Sequence, residues 1–294
     1  MIAPLVLFYS GRTQYWNFYD IVNKKVLDFQ VNVPKKGLVG SSKGWLVFVK
    51  RNVVDKTFGV TLVNPFFRVR GCKKKKKIAH SPPSTKSSRL GKDTTWTYVD
   101  ENVDDSLEGC CMIEDVANVG NKFYAVNYWS ELLSFDVTTR SNSNTRLVGR
   151  GSCPDYDDTK RYIFEGEENK LLMVQRYLEF GETKRVTKKF RVFEMNFQTG
   201  EWTEKNTLGD IALFVGNNSS IYVSASKNSG FQSNCIYFNH DRDYVGHDNR
   251  AYDFGVYNVE DQSFPETYTK RAKKLLKMSY PLPIWVMPTL SFPQ

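Results

Sequence analysis

The chain has 294 residues, of which 40% are hydrophobic and 14% aromatic, so it is long enough to bury a sizeable core and too apolar for a disordered chain. Its formal charge of +9 points towards acidic partners, but much of the excess sits in two runs: Lys73, Lys74, Lys75, Lys76 and Lys77, and residues 271–277. No apolar run approaches the roughly 18 residues that a membrane-spanning helix needs, and no membrane association is expected.

Residues 3–9 form the first apolar stretch and read as a buried strand. No basic region precedes them, and Asp20 and Asp28 argue against a transit segment, so cytoplasm and nucleus are the expected compartments. Next comes Tyr19-Asp20-Ile21, the first copy of a short pattern of aromatic, acid or amide, and aliphatic residue just before a polar turn. Phe135-Asp136-Val137, Phe193-Glu194-Met195 and Tyr257-Asn258-Val259 repeat it. β-prone stretches follow the turns at 26–33, 145–148 and 201–203, so each copy reads as a hairpin. The last three copies lie about 58 and 64 residues apart, the spacing of propeller blades with long loops.

Gly40 and Gly44 bound a predicted turn before Trp45, and 45–49 reads as another buried strand. Residues 71–92, rich in Lys, Ser and Pro, predict a flexible insertion that cannot bury itself. In 190–197, Phe193, Met195 and Phe197 share one strand face while Phe190 and Val192 share the other. A strand with two apolar faces suits a blade covered on both sides, and the number of hairpins favours a propeller over its rival, a two-sheet sandwich. Only 270–278 reads as helix, stopped by Pro281 and Pro283, with an exposed loop as the equal alternative.

Chemistry-bearing patterns are sparse. Cys72, Cys110, Cys111, Cys153 and Cys235 form an odd set without a C-x-x-C pair, which fits a reducing compartment. The sequence Asn217-Asn218 then reads as a polar turn. His240-Asp241-Arg242-Asp243 with His247-Asp248 is the densest group of candidate ligands, but Val245 and Tyr252 stand where a calcium loop needs oxygen donors, so no metal is assigned. Gly149-Arg150-Gly151 runs into Pro154, and the glycines of 37–44 lack a P-loop ending, so no cofactor is assigned either. Carboxylate pairs such as Glu114-Asp115 and Glu167-Glu168 are an opening for a glycosidase, but neighbours on a strand are expected to point apart. No nucleophile has a histidine partner, and no catalytic residue is assigned. Trp45, Trp96, Trp129 and Trp202 are assigned to packing. The lysine run at Lys73, Lys74, Lys75, Lys76 and Lys77 is a candidate import or binding patch, with nuclear import favoured over nucleic-acid recognition.

An ordered set of segments carries a family resemblance. It starts with Ala3-Pro4-Leu5 and Phe18-Tyr19-Asp20, followed by Gly40-Ser41-Ser42-Lys43-Gly44-Trp45-Leu46, Leu62-Val63-Asn64-Pro65-Phe66 and Lys122-Phe123-Tyr124-Ala125-Val126. Further on stand Lys170-Leu171-Leu172-Met173-Val174, 190–202, 208–216, Asn234-Cys235-Ile236-Tyr237-Phe238 and Pro283-Ile284-Trp285. Together they resemble the KIB-type β-propeller that follows the F-box in many plant F-box proteins. The resemblance implies an all-β propeller of about five to seven blades, each an antiparallel four-stranded sheet, spanning 1–294 as one domain. One blade is expected to be short or irregular near 71–92, and the ring to close through strands at 5–9 and 284–287. The implied role is non-catalytic recognition of a protein target for a Skp–cullin–F-box ubiquitin ligase. No F-box is present in this sequence, so a Skp-type adaptor is expected as partner only where an F-box is supplied elsewhere. The alternatives are a propeller enzyme of glycosidase or lactonase type and a basic nucleic-acid-binding protein.

Overall fold

The computed structural model describes residues 4–10, 15–31, 38–42, 45–52, 57–63, 76–78, 86–87, 97–98, 113–120, 122–135, 146–151, 158–181, 185–216, 220–227, 230–241 and 251–288. The chain divides into two compact units, Met1–His80 with Thr207–Gln294, and Ser81–Asn206. Five four-stranded sheets occur among the described residues.

The first unit holds three of them. One sheet joins the two ends of the described chain, in the order Ile284–Val286, Leu5–Ser10, Tyr15–Asp20, Lys25–Val31. Leu5 lies opposite Val286 and Leu7 opposite Ile284, which is the sharing of a blade expected for 5–9 and 284–287. The runs Leu-Val-Leu-Phe-Tyr and Ile-Trp-Val are continuous rather than alternating because both faces are covered. Val6, Phe8, Tyr19 and Trp285 enter one core with Phe214, Tyr237 and Leu276, whereas Leu5, Leu7, Tyr9 and Ile284 enter another with Trp16, Leu46 and Phe48.

The second sheet runs Leu38–Ser42, Trp45–Asn52, Thr57–Val63, Lys76–Ile78. Gly40 is inside the first of these strands, opposite Val47, and Ser42 pairs with Trp45, so the turn is tighter than one bounded by Gly40. The segment 71–92, expected as a flexible insertion, supplies the fourth strand: Lys76 pairs with Leu62 and Lys77 with Thr61. Strand pairing uses backbone groups alone, which a lysine-rich composition leaves intact. The pairing of Lys86–Ser87 with Thr97–Tyr98 begins in the same segment; Lys73, Lys74 and Lys75 lie outside the described residues.

The third sheet, Ile221–Ser224, Ile211–Val215, Cys235–Phe238, Gly255–Asn258, departs from the expected all-antiparallel blade. Ile211–Val215 and Cys235–Phe238 run parallel, with Ala212 opposite Cys235. Asn234 secures that arrangement at its start. Its N–H donates to the Ile211 carbonyl at 2.9 Å, and its side-chain oxygen accepts from the Leu208 N–H at 2.7 Å. Gly209, at φ +60°, and Gly216 flank the buried strand as its sequence predicts. The predicted helix is Lys270–Lys277, capped by Thr269, whose hydroxyl accepts from the Ala272 N–H at 3.1 Å. Ala272 and Leu276 fix it to the core of this unit.

The second unit contains the sheets Ile113–Val119, Lys122–Asn127, Leu132–Phe135, Arg146–Gly149 and Thr159–Glu165, Leu171–Phe180, Arg185–Asn196, Glu201–Lys205, both antiparallel. Val126, Leu132, Ile163, Leu171, Met173 and Met195 form their shared core, with Phe193 and Trp202 against it. Phe190 and Val192 are buried on the opposite face, so both faces of this strand carry apolar groups as expected. Phe197, at the end of the strand, is exposed and lies 5.4 Å from Tyr124.

The hairpin repeat has a physical basis in side-chain oxygens that hold the turns. Asp20 accepts from the N–H groups of Val22 and Asn23, and Asn258 from those of Glu260 and Asp261. In the third copy the acceptor is Asn196, which takes the N–H groups of Gln198 and Thr199, so the repeat is phased on Met195-Asn196-Phe197 rather than on Glu194. Asp136 lies outside the described residues.

Candidate interaction surface

The two longest strands among the described residues, Leu171–Phe180 and Arg185–Asn196, form one hairpin. Among the described residues they reach beyond both neighbours: bonding on one edge runs as far as Leu178, whose N–H donates to the Asp158 carbonyl at 2.7 Å, and Glu201–Lys205 pairs from Val192 onward on the other. A register shift between Tyr177 and Leu178 marks the start of the overhang. Beyond it Phe180 is 46% exposed and Val186 51% exposed, flanked by the ion pair of Lys188 with Glu179. Large apolar side chains held out on a hairpin are suited to contact with another macromolecule.

The base of the hairpin is braced by a polar array. Arg161 and Arg191 lie opposite Gln175 on either side. The Arg161 Nε–H donates to Ser130 Oγ at 2.5 Å, Gln175 Nε2 donates to the same oxygen at 3.1 Å, and Tyr177 donates its hydroxyl hydrogen to Gln175 Oε1 at 2.8 Å. Arg191 forks onto Glu204, and Trp202 Nε1–H reaches the Ser130 carbonyl at 3.0 Å. On the other strand face Arg176 donates to Thr187 Oγ1 at 2.8 Å and sits over Phe190. Burying the guanidinium groups of Arg161 and Arg176 is tolerable only because each has acceptors. The sequence signal was a lone arginine in an apolar strand, Arg161 before Tyr162-Ile163-Phe164 and Arg176 after Met173-Val174-Gln175.

Glu114 and Asp115 do not point apart as expected. A bulge between Ile113 and Asp115 lets both reach the same neighbouring strand. Glu114 accepts from the Arg161 N–H at 2.9 Å and from its guanidinium at 3.2 Å, while Asp115 accepts from the Ile163 N–H at 3.0 Å. Burial pushes the Glu114 carboxyl above its ordinary value, against the pull of Arg161. Both acids are thereby engaged as clamps on backbone. Glu167 and Glu168 sit exposed in a short 3-10 turn.

Other sequence candidates end in structural roles. Cys235 is buried, and its thiol is pushed up to about 11 by burial and by Asp261, which makes it a poor nucleophile. His240 and Asp241 are buried, and His240 Nδ1 accepts from the Asp253 N–H at 3.4 Å; Arg242, Asp243, His247 and Asp248 lie outside the described residues. Among the described residues no group of three or more His, Cys, Asp or Glu could hold a metal, and no helix is long and apolar enough to cross a membrane. Trp202 packs as expected, Trp129 stands edge-on to Tyr128, and Trp96 and the side chain of Trp45 lie outside the described residues.

Comparison with known proteins gives one family. The model of the KIB1-4 beta-propeller matches residues 18–258. Two Arabidopsis thaliana sequences provisionally named as F-box proteins are similar: one is 26% identical over 50% of this chain and 39% of its own length, the other 24% identical over 46% and 34%. The matched part of the chain thus spans well under half the length of these relatives. Among solved structures, apo AztD from Citrobacter koseri matches with 9% identity over 98% of both chains at a TM-score of 0.32. Prolyl oligopeptidase B from Galerina marginata matches with 11% identity over 90% of this chain and 32% of that one at 0.27. Both scores are too low to bear on fold or activity. The family match over most of the chain, joined to the four-stranded sheets and the sheet shared by the chain ends, makes this protein an all-β propeller of the KIB1-4 beta-propeller family.

Proposed function

We propose that the chain is a non-catalytic protein-recognition module, equivalent to the target-binding half of a plant F-box protein. The observation that carries this reading is the overhanging hairpin, whose exposed Phe180 and Val186 are backed by a satisfied polar array. Rigid apolar anchors bind with little loss of conformational freedom, which is what a recognition surface requires. The names of the relatives support a ubiquitin-ligase setting, in which a Skp-type adaptor binds wherever an F-box is supplied. The setting proposed is cytoplasm and nucleus, with residues 73–77 as the import patch.

The test is capture of plant proteins by the immobilised chain, with a Phe180→Ser, Val186→Ser variant in parallel. Both positions are exposed, so the variant is expected to fold. The reading predicts a defined set of captured proteins that the variant fails to retain. The same set held by both forms, or none by either, would contradict it.

A further inference from the structure

The helix Lys270–Lys277 presents a dense exposed positive charge. Lys270, Arg271, Lys274 and Lys277 are all exposed, and their spacing of three and four places them along one face. Like charges at that spacing repel; Lys270 and Arg271 in the first turn oppose the helix dipole, with Glu266 outside the helix acting on Lys270, whereas Lys274 and Lys277 in the last turn suit it. Lys273 is committed to Glu266, at 2.8 Å. The charged face continues into Met278, 55% exposed, and Tyr280, 56% exposed, while Ala272 and Leu276 hold the opposite face to the core. Glu266 also lines a cleft of about 120 Å³, whose wall joins Ile21, Val22 and Gly230 to the polar side chains of Lys24, Gln232 and Thr267. That volume is somewhat below the roughly 150 Å³ that accommodates benzene and suits one branched aliphatic side chain.

We infer that this cationic helix face and the adjoining cleft form a docking surface for an acidic polypeptide segment carrying one aliphatic anchor. Carboxylates of the segment meet Lys270, Arg271, Lys274 and Lys277, and the anchor enters the cleft beside Glu266. The inference rests on the protein-recognition reading and names the class of partner on a second face. An anionic lipid surface would satisfy the cations but has no discrete side chain for the cleft, so a peptide fits the pair of features better.

The experiment is fluorescence polarisation of the full chain with a fluorescein-labelled, glutamate-rich peptide bearing a single central leucine. Binding is expected to weaken about tenfold when the four cations are changed together to Gln, and likewise when the peptide leucine is replaced by glutamine. Gln232→Trp, at the exposed rim of the cleft, should also weaken it. A variant with Lys122, Arg146, Arg150 and Lys170 all changed to Gln, which removes the same four charges at exposed positions elsewhere, should bind like wild type. Equal binding by the four-cation variant, or indifference to the leucine, would overturn the inference. So would tighter capture of phosphatidylserine vesicles than of peptide. If the wild type ignores the peptide yet still retains its plant partners, this surface is wrong and the recognition reading stands; loss of both removes the two together.

Discussion

The indole Nε1–H of Trp285 donates to the carbonyl of Val215 at 3.0 Å, tying the last strand of the chain to the centre of a different sheet. The same residue's carbonyl accepts from Ser41 Oγ at 2.5 Å, so one side chain and its backbone bind three sheets of the first unit together. Phe214 stands edge-on to the indole at 4.9 Å and stacks on Tyr237 at 4.8 Å. Trp285→Ala should therefore cost about 3–5 kcal/mol from lost volume, with only a smaller term for the lost indole bond, since the Val215 carbonyl keeps the Asn239 N–H at 3.0 Å. Trp285→Phe should recover part of the first term only. Urea unfolding of the two variants measures both.

Asn234 makes a second, smaller test of the fold. It sits at φ +60°, a conformation that costs a residue with a Cβ about 1–2 kcal/mol, and its amide bonds to Leu208 and Glu260. Asn234→Ala should lose both the tolerance and the bonds, whereas Asn234→Gly keeps the conformation and loses the bonds. The expected order of stability is wild type, Gly, Ala, with Gly and Ala separated by about 1 kcal/mol. Equal melting of the two variants would show that the left-handed backbone is not a determinant there.

Two glutamates of the second unit should respond to pH with opposite signs. The hydrogen bond from Arg191 holds the Glu204 carboxyl below its ordinary 4.5, so its contribution is present above that pH and lost as pH falls through the lower folded value. Exposure limits that contribution to about 0–1 kcal/mol. Burial raises Glu114, so its folded form holds the proton more tightly and stability declines as pH climbs from 4.5 through the higher folded value. Glu204→Gln should flatten the acid limb of the stability profile and Glu114→Gln the limb above it. Denaturant melts across that range, compared with wild type, read the two effects separately.

Continuous apolar runs were readable in the sequence. Residues 5–9 and 284–287 announced a sheet covered on both faces, and the stretch 270–278 ahead of Pro281 and Pro283 allowed the helix found there. What stayed hidden depended on partners distant along the chain. Arg161 finds Ser130 and Glu114 at separations of 31 and 47 residues, which no local pattern encodes. The bulge that turns Glu114 and Asp115 to the same side cannot be seen in strand alternation, and the strand Lys76–Ile78 is built from backbone groups that composition does not report. The parallel pairing of Ile211–Val215 with Cys235–Phe238 follows from how 225–234 returns the chain, and each strand alone reads the same in either direction.

Hydrogen exchange on the chain bound to a captured target tests the recognition reading most directly. The account predicts new protection in the overhang, residues 178–180 and 185–191, with the paired sheet beneath it unchanged. Protection confined to other segments, or release of a chemically altered target in place of a stable complex, would contradict it.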